Sequence, residues 1–305
     1  MDSYIISFDG LGINDLQINR TAINLFGFSI YWYAIFITVG LVLAVIYAFT
    51  SKKRYSITSD NIYDGLLIGM PLAIVFARLY YVVFDMKSFD SIWDIINIRS
   101  GGLAIYGAVI GIAIAGIITY RLKKYDVFNM LDLITVPLLI GQAVGRWGNF
   151  FNAEIFGRTT SFFTRMTITQ NRQFPSIIAK NVHPLFLYES IWNIIGAILL
   201  HIFSIKSKKR FKGQIALMYV VWYGVGRGVL ESFRDNEFVL KMFNIPVSQV
   251  LAFLSAIVAV SVIIYFKKVK KISRFYDIIE ESTEQIEIIE DTENIIIKDD
   301  ENENS

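Results

Sequence analysis

The chain contains no cysteine. That excludes disulfides, thiolate metal sites and a cysteine nucleophile. Histidine is nearly as scarce, with only His183 and His201 present. A histidine-rich metal site is therefore excluded, and no metal or cofactor is expected. Charge is thin: 18% of residues are Asp, Glu, Lys or Arg, against about 25% in a typical soluble domain. No basic n-region precedes the first apolar run, and residues 1–24 are mixed polar, so no cleavable signal peptide is expected.

What replaces charge is apolar length. The 305 residues are 54% hydrophobic and 15% aromatic, and the charges sit in blocks between apolar runs. A run of roughly 18 or more apolar residues crosses the hydrocarbon core as a helix, which satisfies its own backbone hydrogen bonds. Spans are expected at roughly 28–50, 63–84, 103–120, 129–149, 185–204, 214–232 and 247–266. The expected fold is an all-α polytopic membrane protein with about seven transmembrane helices.

The joins between spans give a direction. Lys52, Lys53 and Arg54 follow the first span, and Arg121, Lys123 and Lys124 the third. Lys206, Lys208, Lys209, Arg210 and Lys212 follow the fifth, and Lys267, Lys268, Lys270 and Lys271 the seventh. Short Lys/Arg-rich loops stay in the cytoplasm, so the N-terminus is expected outside and the C-terminus inside. The long outward segment 151–184 carries Arg158, Arg165, Arg172 and Lys180, but long loops translocate largely regardless of charge. Loops of that length are usually functional.

The net charge of +2 hides an asymmetry. Residues 277–305 hold twelve of the 27 acidic residues and one of the 29 basic ones, leaving a body of +13. Basic residues at helix ends suit anionic lipid headgroups and do not call for nucleic acid. The tail, ending in DDENENS, reads as solvated and disordered. No internal repeat is visible, which disfavours an inverted-repeat transporter.

Ionisable residues inside a membrane are functional candidates. The topology brings Tyr33, Arg78, Tyr106, Arg146, Asn149, Tyr223, Arg227 and Glu231 to one outer level. Tyr223, Arg227 and Glu231 are four apart and share a helix face, as do Arg146 and Asn149, three apart. Taken singly, Arg227–Glu231 is equally a helix-stabilising ion pair, and Arg146 a snorkelling cation at a helix end. Taken together, arginines from three helices read as a site for an anionic phospholipid headgroup, because the planar guanidinium donates two parallel hydrogen bonds to phosphate. Glycines in the third span (Gly107, Gly111 and Gly116) read as helix packing, and Gly101 and Gly102 as a flexible entry.

The run Gly145-Arg146-Trp147-Gly148-Asn149-Phe150-Phe151-Asn152-Ala153-Glu154-Ile155-Phe156-Gly157-Arg158 resembles the signature of bacterial prolipoprotein diacylglyceryl transferases. Tyr31-Trp32-Tyr33, the stretch Gly101 to Gly107, His183-Pro184 with Leu187-Tyr188-Glu189, and Tyr223-Gly224 with Gly226-Arg227, Glu231 and Arg234 resemble other motifs of that family. The resemblance covers residues from about 25 to 265.

The resemblance implies transfer of the diacylglyceryl group of phosphatidylglycerol to the lipobox cysteine of a prolipoprotein signal peptide. It implies a multi-pass protein of the bacterial cytoplasmic membrane with its site at the outer leaflet. The chain is expected to divide into a seven-helix transmembrane catalytic domain over residues 1–271, with an extracytoplasmic loop region 151–184, and an acidic, disordered cytoplasmic tail over 272–305, which lies outside the resemblance. By position, Arg146 corresponds to the phosphatidylglycerol-binding arginine and Arg227 to an essential one. Tyr33, Asn149, Glu154, Gly157, Tyr223 and Glu231 match positions important to the family. Many members carry histidine where this chain has Tyr106, and a tyrosine, titrating near ~10 when unperturbed, is a poor base at neutral pH. Tyr106 or Glu154 is expected to accept the thiol proton, or Tyr106 only to hold the phosphate or a glycerol hydroxyl.

Two rival classes stay open. A binding or transport protein would place ionisable residues along both halves of the bundle, whereas the inner halves here are nearly free of charge. Another lipid-active enzyme, such as an acyltransferase, would need a histidine–acid pair or a serine nucleophile, and His183 lies in a loop away from any matched acid.

Overall fold

A computed structural model of the chain describes residues 3–84, 91–98, 101–124, 126–171, 176–207, 210–235, 241–242 and 245–269. The acidic tail, Arg172, Lys208, Lys209, Lys270 and Lys271 lie outside the described residues. The chain forms two compact units, residues 1–197 and residues 198–305.

The described residues are mostly helical. Long helices are α1 (Trp32–Ser51), α2 (Ser59–Phe84), α4 (Ile105–Lys123), α5 (Val127–Phe151), α6 (Leu185–Lys206), α7 (Gln214–Glu231) and α8 (Val247–Ile264), with a short α3 (Ile92–Ile96) between α2 and α4. Six of them (all but α3 and α7) are long and apolar enough to cross a membrane. Their starts follow local chemistry. Thr58 N–H donates to Asn61 Oδ1 at 2.8 Å and Asn61 N–H to Thr58 Oγ1 at 3.3 Å, a reciprocal cap ahead of α2. Asp126 accepts from the Asn129 N–H and caps α5. Pro71 in α2 and Pro137 in α5 are tolerated, as prolines within apolar spans often are.

In the first unit α1 packs on α5 and α2 on α4. Small residues set both contacts. A Cβ on Gly40 would lie 3.3 Å from the Gly141 backbone, and one on Gly107 or Gly111 would overlap the carbonyl oxygens of Phe76 or Leu72. Backbones in such contact gain the close packing that drives helix association in lipid. Gly116 has only ordinary contact, with Val127. In the second unit α7 lies on α8, where Gly224 and Gly228 admit the Ala252 carbonyl and the Phe253 ring. Gln249 Nε2 donates to Gly228 O and Ser232 Oγ, both at 2.8 Å.

The all-α expectation needs correction. Strands β1 (Ser3–Phe8), β2 (Ile13–Asn19), β5 (Met166–Asn171) and β6 (Ser176–Val182) form an antiparallel sheet in the order β2-β1-β5-β6. Much of the second half of segment 151–184, expected as loop, is thus paired in strands, with Ile6 opposite both Leu16 and Ile168. On β1 every second side chain is buried, and Tyr4, Ile6 and Phe8 join Phe150, Met166, Ile168, Val182 and Phe186 in one core. The sheet therefore docks on the end of α5 and the start of α6.

The first helix also starts later than expected. Residues 21–31 form a separate hairpin of β3 (Thr21–Leu25) and β4 (Phe28–Tyr31), and α1 begins at Trp32. Hydropathy alone does not separate an apolar strand from the helix that follows it.

Candidate functional site

The C-terminal end of α5 carries a chain of polar contacts. Arg146 Nη1 donates to Asn149 Oδ1 one turn on, at 3.3 Å. Asn149 Nδ2 donates to Glu154 Oε1 at 2.9 Å, and Asn152 Nδ2 donates to the same oxygen at 3.1 Å. Arg20 Nε donates to Asn152 Oδ1 at 3.3 Å. At the other end the Arg146 guanidinium is ion-paired with Glu189 on α6. The charges alternate from Arg20 to Glu154, Arg146 and Glu189, so the chain of contacts is neutral as a whole.

The backbone bends to make this possible. After α5 stops, Glu154 N–H returns to donate to Asn149 O at 3.2 Å. The residues on either side, Ala153 at φ 53° and Ile155 at φ 56°, are both left-handed. A β-branched residue there is an outlier. Such strain costs of order 1–3 kcal/mol, and it concentrates at functional sites. Two strained residues thus aim Glu154 at the Asn149 and Asn152 amides.

Neighbouring segments hold the helix ends in register. A Cβ on Gly148 would lie 2.7 Å from Tyr33 Cδ2, so the absence of a side chain at 148 lets the Tyr33 ring lie against α5. Ser190 Oγ donates to Ala143 O at 3.0 Å and pins α6 to α5. Gly157 is buried and its N–H donates to His183 O at 2.9 Å, while His183 N–H donates to Arg158 O at 3.1 Å. The His183 ring Nδ1 lies 3.2 Å from Tyr188 Oη. Burial pushes the His183 pKa below its ordinary value.

Arg78 departs from the expectation that it serves a phosphate. It is buried on α2, and its guanidinium donates to Ile95 O at 2.8 Å, Gly101 O at 2.7 Å and Gly102 O at 2.9 Å, and also to Asp94 O. Gly101 and Gly102, at φ 91° and 75°, wrap around it, and a Cβ at 102 would overlap the guanidinium and the Tyr81 ring. They are a clamp on Arg78, so the flexible entry expected there gives way to fixed turn geometry. Tyr106 is exposed in the first turn of α4, with its ring 6.1 Å from that of Tyr80. No described contact links Tyr106 to the Arg146 chain.

In the second unit, Glu231 Oε2 lies 3.0 Å from Arg227 Nη2 and 3.6 Å from Arg234 Nη1. The Glu231 side chain is 1% exposed, and its Oε1 has no hydrogen-bond partner among the described residues. Two guanidiniums thus share one buried carboxylate. Tyr223, one turn before Arg227, is half-exposed and stacks on Tyr219 with ring centres 5.8 Å apart.

Structure therefore joins Arg146, Asn149 and Glu154, lays Tyr33 beside them, and joins Arg227 with Glu231. It adds Arg20, Asn152 and Glu189 as partners whose roles sequence reasoning did not assign. Asn152 and Glu189 lie inside the quoted motifs. Arg20 stands alone in a polar stretch with nothing to mark it.

Residues 20–265 match the model of the prolipoprotein diacylglyceryl transferase family. The chain belongs to that family. A phosphatidylglycerol–prolipoprotein diacylglyceryl transferase of Pediococcus pentosaceus is 39% identical over 264 residues, 82% of this chain and 91% of the relative. Proteins of the same name from Clostridium perfringens and Enterococcus faecalis are each 37% identical, over 83% and 81% of this chain and 97% and 90% of their own lengths. The stretch matched to this transferase family contains both polar clusters and the whole β3–β4 hairpin, and begins at Arg20. Strands β1 and β2 lie before it, so half of the docked sheet is built from residues outside the match.

Proposed function

We propose that this protein transfers the diacylglyceryl group of phosphatidylglycerol to the thiol of a lipobox cysteine, the first step of bacterial lipoprotein maturation. The observation that carries the reading is the hydrogen-bonded chain Arg20–Asn152–Glu154–Asn149–Arg146 at the end of α5, inside the family's matched stretch. The proposed setting is the bacterial cytoplasmic membrane, with α7 as a seventh span, the N-terminus outside and the reaction at the outer leaflet.

In the proposed reaction the substrate thiol loses its proton, because the thiolate is the nucleophile. A sulfur–carbon bond forms at the glyceryl carbon. The carbon–oxygen bond to phosphate breaks, and its electron pair leaves on the phosphate oxygen as glycerol phosphate. Arg146 binds the phosphate of phosphatidylglycerol, with Asn149, Tyr33, Gly157 and Tyr223 lining the lipid headgroup. Arg227 stabilises the departing phosphate, and Glu231 orients Arg227. Preorganised donors of this kind are often the largest catalytic contribution, and losing one costs roughly 10²–10³ in rate. Arg146 is ion-paired with Glu189, which orients its guanidinium for the phosphate.

Glu154 is the favoured proton acceptor, as the carboxylate bonded to both amides of the chain. Tyr106 then holds a phosphate or glycerol oxygen. Membranes carrying Tyr106→Phe or Glu154→Gln protein, given phosphatidylglycerol and a lipobox peptide, test the division. Abolished transfer in Glu154→Gln with only a partial loss in Tyr106→Phe, from the missing hydroxyl contact, is expected; abolished transfer in Tyr106→Phe with activity kept in Glu154→Gln assigns the proton to Tyr106.

A further inference from the structure

The hairpin β3–β4 has two unlike faces. Cross-strand partners Ile23 and Ile30, and Leu25 and Phe28, lie on one face. Between them Asn24 and Ser29 pair on the other, where Ser29 Oγ donates to Asn24 Oδ1 at 2.8 Å. All four apolar residues are exposed, so the hairpin presents a bare apolar face. A lone two-stranded hairpin is marginally stable in water, and nothing described covers this one.

The tip sharpens the point. Strand β3 ends at Leu25 and β4 begins at Phe28, leaving a two-residue turn with Phe26 at φ 49° and Gly27 at φ 84°. Positive φ at both positions is the type I′ pattern, which favours Asn-Gly. Phenylalanine at the first position carries a backbone penalty, and its side chain is 91% exposed. Neither the turn nor any contact among the described residues accounts for that ring.

The strand β4 runs without a break into α1, a helix of membrane-spanning length and composition. The base of the hairpin is anchored at the same place: Trp32 N–H donates to Arg20 O at 3.2 Å, and the Arg20 guanidinium lies 5.3 Å from the centre of the Tyr31 ring. Tyr31 and Trp32 are residue types enriched at the membrane–water interface. With α1 crossing a bilayer, the apolar face would begin at the edge of the hydrocarbon core.

We propose that the β3–β4 hairpin is a lipid-binding element, lying at the bilayer interface with Ile23, Leu25, Phe28 and Ile30 against the acyl chains and Phe26 inserted at its tip. Asn24 and Ser29 face the headgroups. Burial of the apolar face in lipid offsets the strained turn and stabilises a hairpin that water would leave frayed. Arg20 ties the base of the hairpin to Asn152, so the hairpin is held to the end of α5. A lipid-facing hairpin requires only that α1 spans the bilayer, whatever reaction the protein catalyses.

The absence of native cysteine makes the test clean. Single variants Phe26→Cys, Leu25→Cys and Ser29→Cys of the full chain are labelled with an environment-sensitive fluorophore. Each is placed in phosphatidylglycerol–phosphatidylcholine vesicles, with or without lipids bearing a nitroxide high on the acyl chain. The expected result is blue-shifted emission at 26 and 25, with nitroxide quenching severalfold stronger than at 29. Emission at 26 and 25 matching the same dye on glutathione in water, without quenching, overturns the proposal. Equal quenching at all three positions overturns the assignment of faces. Val39→Cys inside α1 serves as the buried-in-lipid reference and confirms that the protein is inserted.

Discussion

Arg146 on α5 is ion-paired with Glu189 on α6, both mostly buried, in the same helix–helix contact that Ser190 fastens through the Ala143 carbonyl. The arginine proposed for phosphate binding is thus held by a carboxylate and an asparagine, and sits preorganised within the folded helix pair. Deleting one partner of a buried pair leaves the other uncompensated, at a cost of about 3–5 kcal/mol. Since Arg146 retains some exposure, the lower end applies. Glu189→Gln should lower the melting temperature in detergent. Combined with Arg146→Gln, it should cost clearly less than the sum of the two single changes, as residues in one network do. Additive losses would show that the pair does not act as a unit.

Ala153→Gly tests the strained turn that aims Glu154. Glycine accepts the left-handed backbone that costs an L-residue about 1–2 kcal/mol, against an entropic penalty of about 0.5–1 kcal/mol. The variant should be as stable as its parent or up to about 1 kcal/mol more stable, by thermal unfolding in detergent. A marked loss of stability would mean that Ala153 is not strained.

Ile6 is fully buried at the centre of the sheet's inner face. Ile6→Ala should cost about 2–5 kcal/mol locally. Limited proteolysis should then cut within 151–184 faster than in the parent. Unchanged protection of that segment would contradict the docking of β1 on β5.

His183 gives a pH dependence of known sign. Its folded pKa lies below its unfolded one because burial penalises the charged ring. The associated stability is complete above about pH 6.5 and is lost as pH falls through the lower, folded value, because the unfolded chain binds the proton first. The melting temperature should therefore drop on acidification below about pH 6.5, and His183→Gln should flatten that slope. A slope unchanged in His183→Gln would place the titration elsewhere.

How much of this was legible in the sequence depended on the range of the interaction. Long apolar runs and the basic joins marked the helices, and the spacing of Arg146 with Asn149 and of Arg227 with Glu231 put each pair on one helix face. The sheet was not legible, because β1 finds its partner β5 some 160 residues away, and its six-residue alternation is weak alone. Arg78 was misread for a chemical reason: a guanidinium recognises any array of oxygens, and four backbone carbonyls serve as well as a phosphate. Glu154 stood in a motif, but its aim depends on left-handed Ala153 and Ile155, residue types that do not signal such a turn.

Arg227→Ala should lower transfer by roughly 10²–10³ while leaving membrane insertion intact. Normal labelling of a lipobox substrate by that variant would remove Arg227 from the reaction.

The most direct measurement combines membranes containing the wild-type protein with phosphatidylglycerol and a synthetic lipobox peptide, read by mass spectrometry. The account predicts a diacylglyceryl mass increment on the peptide that disappears when its cysteine is replaced by serine. Unmodified cysteine peptide, with correctly inserted protein present, would contradict it.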